Sequence, residues 1–381
     1  MADMRQYRRE KKQNNRIKVG LIIAAIAIVA VIVVCVVKKK TYYESYKTES
    51  SFRRNDTGYA EYVYFGNHIV RCSKDGIAAF DDDGNQIWNN TYEVNNMEVQ
   101  HSGSYLAVAD MNGNRIYTFD KDGYVTEINT ALPILQMCVS KAGYVVVILE
   151  DKNADYINMY SIEGKKIYTI KKAIEIDGLP VSISVSEDGE KLVAAFTKIN
   201  GTEISTSVVF YNFNEVGQNE NERVVGGFDY GNRLVGCVRF IDATTVVAFA
   251  EDKISIYSIV EYPKLVKEIS VDYRMEYIFT GNSYVGTLHK ETDRGNSILE
   301  VYNTSGNQVL KEEIEGDYTT FKFSGKNVLM YNDKECRIIN TKGKEVFEHS
   351  FEDGIIDMIP LSDTKNFLVT DREYIRKIKL K

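Results

Sequence analysis

The feature that most constrains the fold is a short phrase that the chain repeats. Residues 80–88 read FDDDGNQIW: an apolar strand end, a tight Asp/Gly/Asn turn and the start of another strand. Variants follow at Phe119 (FDKDGYV), Tyr160 (YSIEGKKI), Tyr302 (YNTSGNQV) and Ile339 (INTKGKEV). Each is a hairpin signal, because glycine reaches positive φ without steric cost and the flanking residues are strand formers. From Tyr59 onward, short apolar and β-branched runs alternate with such turns, and no useful helical period occurs after Val37.

The phrases belong to a longer unit of four strands. The third strand of each unit ends at Phe80, Phe119, Tyr160, Tyr211, Tyr257, Tyr302, Ile339 and Ile378, spaced 37 to 51 residues apart. Propeller blades repeat at roughly 40–50 residues. The expected fold class is therefore all-β, an eight-bladed β-propeller. The last unit, residues 352–381, holds only three strands (IIDMIPL, NFLVT, YIRKIKL). Its missing strand should come from residues 45–56, which would close the ring and remove two unpaired sheet edges. Seven blades is the alternative if residues 59–65 are themselves that outer strand. Blades pack face to face, so inner strands should be buried on both sides. In KISIYSI, Ile254 and Ile256 should face one neighbour, Ser255 and Tyr257 the other.

Residues 19–37, VGLIIAAIAIVAVIVVCVV, contain no charge. As a helix they would span about 28 Å, enough for a bilayer core. Lys38, Lys39 and Lys40 follow directly, where a cleaved signal peptide would show small residues. The expected organisation is a basic cytoplasmic tail (1–18), a transmembrane helix (19–37), a juxtamembrane segment with the ring-closing strand (38–56) and a propeller (57–381). Seven basic residues precede the span and six follow closely, a slight preference for the N-terminus inside. With the short tail, this places the propeller outside the cytoplasm, on a signal anchor in the cell membrane.

The net charge of −7 is uneven: residues 1–40 carry +8, which leaves −15 on the remainder. So acidic a body does not suit nucleic acid, which demands clustered basic residues. The aromatic-Asp-x-x-Gly-x-x-Ile-Trp run at 80–88 resembles the repeats of quinoprotein-like propellers, among them the eight-bladed lipoprotein of bacterial outer-membrane assembly. The overall layout is similar to a domain-of-unknown-function family of Gram-positive bacterial single-pass membrane proteins with an extracytoplasmic quinoprotein-like or WD-like propeller. Quinoprotein repeats usually keep their Trp in every blade, whereas Trp88 is the one Trp here. The resemblance therefore does not imply a quinone cofactor.

No catalytic, cofactor-binding or metal-binding residues stand out. Cys72, Cys138, Cys237 and Cys336 fall on alternate blades, too far apart to pair, and read as buried free thiols. His68, His101, His289 and His349 lie on four different blades without a second ligand at metal spacing. Asp81–Asn85 resembles the start of a calcium loop, but the required Gly and Glu positions hold Gln86 and Tyr92. Three polar insertions, 150–155, 198–203 and 289–296, each join a second to a third strand and should emerge on one face. Long loops on a rigid scaffold are where binding tends to reside. The expected function is a membrane-anchored binding or scaffold module for a protein or cell-wall partner. The alternative is a surface enzyme acting on glycans through carboxylates at the channel mouth, and a weaker reading is a sensor acting through its basic tail.

Overall fold

The computed structural model describes residues 42–381 apart from 57, 291–295 and 362. Residues 1–41, with the apolar stretch 19–37, lie outside the described residues. Among those described, no helix is long and apolar enough to cross a membrane.

Eight four-stranded antiparallel sheets follow one another along the chain. Blades 1 to 7 occupy residues 60–91, 97–129, 134–173, 179–229, 235–270, 277–314 and 320–350. Blade 8, residues 357–380, supplies three strands, and Tyr46–Arg53 adds its fourth. The expected eight blades are thus present. Burial follows the face-to-face logic: Ile254 and Ile256 pack toward blade 6, Tyr257 and Ile259 toward blade 4, and Ser255 is buried as well.

The repeated phrase has a physical basis at each position. At Asp81, Asp120, Asn303 and Asn340, the residue after the phrase's leading Phe, Tyr or Ile caps the turn with its side chain. Asp81 Oδ1 accepts from the backbone N–H groups of Asp83 and Asn85 at 3.0 and 2.8 Å. Asn303 and Asn340 do the same for Ser305 and Asn307, and for Lys342 and Lys344. Asp81 is thereby occupied by its own turn, and the hydrogen bonds from Asn85 lower its carboxyl below the usual range. The glycine answers a second demand. Gly84 sits at φ +84°, and an added Cβ would lie 2.6 Å from Phe52 of the closing strand. Trp88 likewise covers Gly123 of blade 2, stacks on Phe119 with centroids 6.0 Å apart and donates its indole N–H to Lys121 O at 3.3 Å. The outer strand of one blade thus rests on the third-to-fourth turn of the next.

Closure is pinned at several points. Arg54 Nη1 donates to Asp371 O at 2.8 Å, and Arg54 Nε to Asp56 Oδ2 at 2.9 Å. Asp56 in turn accepts from the Tyr62 hydroxyl in blade 1. Lys377 of blade 8 reaches Asp82 in the third-to-fourth turn of blade 1 at 2.7 Å.

One expected loop is a correction. Residues 198–203 form no loose insertion: the second and third strands of blade 4 run on as Lys191–Asn200 and Glu203–Asn212, joined by Gly201–Thr202. Ile199 opposite Ile204 continues a ladder of β-branched residues beyond the blade core, and Gly201 at φ +64° permits the tight turn. Similarly, Asp155 belongs to a strand and is buried.

Phe52→Ala should lower unfolding stability by about 1–2 kcal/mol, since the half-buried ring leaves Phe80 and Gly84 uncovered. Denaturant melts of the full chain would measure the loss. An unchanged midpoint would mean that the closing strand contributes little.

Candidate functional site

The innermost strand of each blade borders the central channel, and these strands touch one another from blade 2 through blade 5 and from blade 6 through blade 8. Its N–H groups at that edge have no further strand to meet. In blades 3 to 5, side chains fill the need. Gln136 Oε1 accepts from Ile183 N at 2.9 Å, and Ser182 and Ser184 accept from Val238 N and Phe240 N at 3.1 and 2.9 Å.

The one charged residue on these three innermost strands is the exposed Arg239 of blade 5; the acidic groups lie on the opposite half of the wall. Glu61, Glu98, Lys322 and Asp357 stand on the innermost strands of blades 1, 2, 7 and 8. Lys322 Nζ donates to Asp357 Oδ1 at 2.5 Å and to Met358 O at 3.3 Å, and the Tyr331 hydroxyl donates to the same carboxylate. Gln100 donates to Glu98 at 3.0 Å. Burial, then the charges of Asp357 and Glu98, push the Glu61 carboxyl above its ordinary range, against an opposing pull from Lys322. These residues were missed in the sequence. A signal existed: each is a lone charge early in a strand otherwise apolar or neutral.

The two faces of the ring differ. First-to-second and third-to-fourth turns lie on one face; second-to-third turns and the connections between blades lie on the other. The closing strand fixes which face meets the N-terminal segment. Ser45 and Lys381 exchange backbone hydrogen bonds at 3.3 and 2.8 Å, and Tyr43 N donates to Val346 O at 2.8 Å, at the start of the outer strand of blade 7. Residues 42–45 therefore leave from the third-to-fourth turn face. The hairpin of blade 4, with Ile199 and Ile204 exposed, projects from the opposite face.

On that opposite face, the innermost strands of blades 3, 4 and 5 each carry a bulge, at Leu135, Val181 and Gly236. The innermost strands of the other five blades pair in unbroken register. Blade 6 adds a buried polar cluster. Glu300 accepts from Tyr273 and, at 2.7 Å, from Tyr302, and pairs with Lys311 at 2.9 Å. Tyr273 stacks on His289 with ring centroids 3.4 Å apart. Burial alone would raise Glu300, but the hydrogen bonds from Tyr273, Tyr302 and Lys311 outweigh it and hold the carboxyl below the usual range. Burial pushes the His289 imidazole down.

The histidines otherwise stay apart, as expected: His68, His101, His289 and His349 are on strands of blades 1, 2, 6 and 7. Among the described residues, no group of three His, Cys, Asp or Glu is arranged to hold a metal ion. The four described cysteines are free thiols. Cys72 and Cys336 are buried, but Cys138 and Cys237 are only half-buried, because they lie on innermost strands beside the channel. Burial pushes the Cys138 and Cys336 thiols up to about 12.

The fold and its channel define an eight-bladed β-propeller with an asymmetric wall. Within that class, the chain belongs to a family of unknown function (DUF5711), whose profile matches residues 38–380. No curated protein matches it in sequence. Among solved structures it is similar to BamB from Moraxella catarrhalis, at 11% identity and a TM-score of 0.56, over 88% of this chain and 100% of that one. It is also similar to Sqt1 of Chaetomium thermophilum bound to the N-terminus of ribosomal protein L10, at 12% identity and 0.55, over 88% and 100%. Apo AztD from Citrobacter koseri matches at 11% identity and 0.52, over 78% and 88%. Likenesses this distant establish the fold.

Two outcomes follow. Thiol labelling of the native chain should leave Cys72 and Cys336 unmodified until the protein unfolds; modification at the native rate of a free thiol would contradict their burial. Glu300→Gln should cost about 1–3 kcal/mol near neutral pH. Because the folded carboxyl titrates below its unfolded value, the wild-type advantage is complete only above that unfolded value, about 4.3, and is lost as pH falls through the folded value. Paired melts across pH would show the gap narrowing only in acid.

Proposed function

We propose that the chain is a membrane-tethered extracytoplasmic propeller of a Gram-positive bacterium that binds a protein or cell-wall partner as a scaffold. Residues 1–18 would be a cytoplasmic tail, 19–37 a single span, and the propeller would stand just outside the membrane. The observation that carries this reading is the direction of the closing strand. An anchor ending near residue 37 would join the face of the third-to-fourth turns, from which residues 42–45 leave. The opposite face, with the blade 4 hairpin, the three bulges and one channel mouth, would then point away from the lipid, free to meet a partner. The acidity of the body fits an outer-surface domain that avoids anionic lipid. BamB and Sqt1 share the architecture, and the solved Sqt1 complex holds a peptide terminus, which makes protein binding a natural use for this ring.

A second reading has one specific observation in its favour: the raised Glu61 carboxyl beside Glu98 and Asp357. Glycan hydrolysis needs a protonated acid next to an ionised carboxylate. Asp357 is already engaged by Lys322 and Tyr331, which leaves the pair incomplete and favours binding over catalysis.

Protease added to intact protoplasts should degrade the propeller and spare the tail; full protection would reverse the topology. Incubation of the full chain with cell-wall glycan should release no reducing ends. Release that disappears in Glu61→Gln would replace the binding reading with the enzymatic one.

A further inference from the structure

Three consecutive blades bulge at the same place, and the bulged residue differs in one telling way. Leu135 and Val181 project aliphatic side chains that are 39% and 40% exposed. At the matching point of blade 5 stands Gly236. Its backbone is not in the left-handed region, and a Cβ built on it would meet nothing within 4 Å. Neither strain nor crowding demands a glycine here. What the missing side chain leaves is space: a cavity of about 770 Å³ opens beside it, between blades 5 and 6 on the face away from the closing strand's start.

The connection between those blades builds the outer wall. Its burial alternates: Val271, Tyr273, Met275 and Tyr277 turn inward, while Asp272, Arg274 and Glu276 stay exposed. The floor is apolar, with Phe249 and Val271 buried. Tyr273 cannot swing to fill the space, because its ring is stacked on His289 and its hydroxyl is tied to Glu300. The rim carries Glu251, Asp272 and Glu276 against Arg274, a net negative edge on an already acidic body. A preformed apolar cavity of this size with few polar groups is the usual character of a ligand site.

We propose that this pocket receives a bulky apolar side chain from an extended segment of a protein partner, with a lysine or arginine beside it seated on the acidic rim. The proposal rests on the reading of the protein as a binding propeller and names the place where binding occurs. The apolar cavity sets the anchor, and charge complementarity sets its neighbour.

The test is selection from a random peptide display library on the full chain in detergent, followed by measured affinities for the wild type, Gly236→Leu, Gly236→Ala and Leu234→Asp. Leucine is what blade 3 carries at the matching bulge, so Gly236→Leu should fold and melt like the wild type while filling the cavity. The expected result is enrichment of Leu, Ile, Met, Phe or Trp beside Lys or Arg. Affinity should fall at least tenfold in Gly236→Leu, fall in Leu234→Asp at the exposed lip, and stay within a few-fold in Gly236→Ala. Selected peptides that bind Gly236→Leu as well as the wild type overturn the pocket and leave the binding reading standing. Enriched peptides without basic residues overturn the role of the rim. No enrichment at all overturns the pocket and the protein-partner form of the binding reading, leaving only its cell-wall form. Self-association of the wild type that Gly236→Leu abolishes would make a second copy the occupant and overturn the proposed partner.

Discussion

The structure depends on one antiparallel pairing between segments more than three hundred residues apart. Tyr46–Arg53 pairs with Tyr374–Leu380, from Tyr46 opposite Leu380 to Arg53 opposite Tyr374. Without it, blade 8 would expose one open edge and blade 1 would lose the Phe52 ring that covers its third-to-fourth turn. Hydrogen bonds supply the register, while Phe52 over Gly84 and the Arg54 contacts to Asp371 and Asp56 lock it laterally. The same contact type, an outer strand resting on the next blade's turn, repeats at Trp88 over Gly123. Closure is therefore one more use of a device the chain uses elsewhere, made by its N-terminal end.

That pairing also organises function. Because the closing strand runs in one direction, the residues before it leave from one face. The bulges, the long hairpin of blade 4 and the cavity beside Gly236 lie on the other. The channel wall is divided in a related way. The carboxylates and Lys322 gather on blades 7, 8, 1 and 2, while blades 3 to 5 use Gln136, Ser182 and Ser184 to satisfy strand edges and add the exposed Arg239 of blade 5. A ring with such a division presents a direction to a partner, which a symmetric ring does not.

Much of this was legible in the residues. The turn phrase announces itself because its demands are local: a side-chain acceptor such as Asp81 or Asn303, then a glycine under a neighbour's side chain. Blade number followed from spacing, and the closing strand from a last unit one strand short. The sites were less legible. Bulges depend on register between two strands, and nothing in the letters around Gly236 reveals that it matches Leu135 and Val181. Glu61, Lys322 and Asp357 come from opposite ends of the chain, so only closure brings them together. In the sequence the blade 4 hairpin resembles a loop because Lys198, Asn200 and Glu203 are polar, although Ile199 and Ile204 continue the ladder.

Covalent capture of the closing pair tests the account most directly. Lys47 and Lys379 are exposed and directly opposed, so a Lys47→Cys, Lys379→Cys double variant can report on the pairing. Mild oxidation should give a monomer with a 47–379 link found by peptide mapping, and a melting temperature above that of the reduced form. Links formed between chains, or none at all, would contradict a ring closed by its own N-terminal strand.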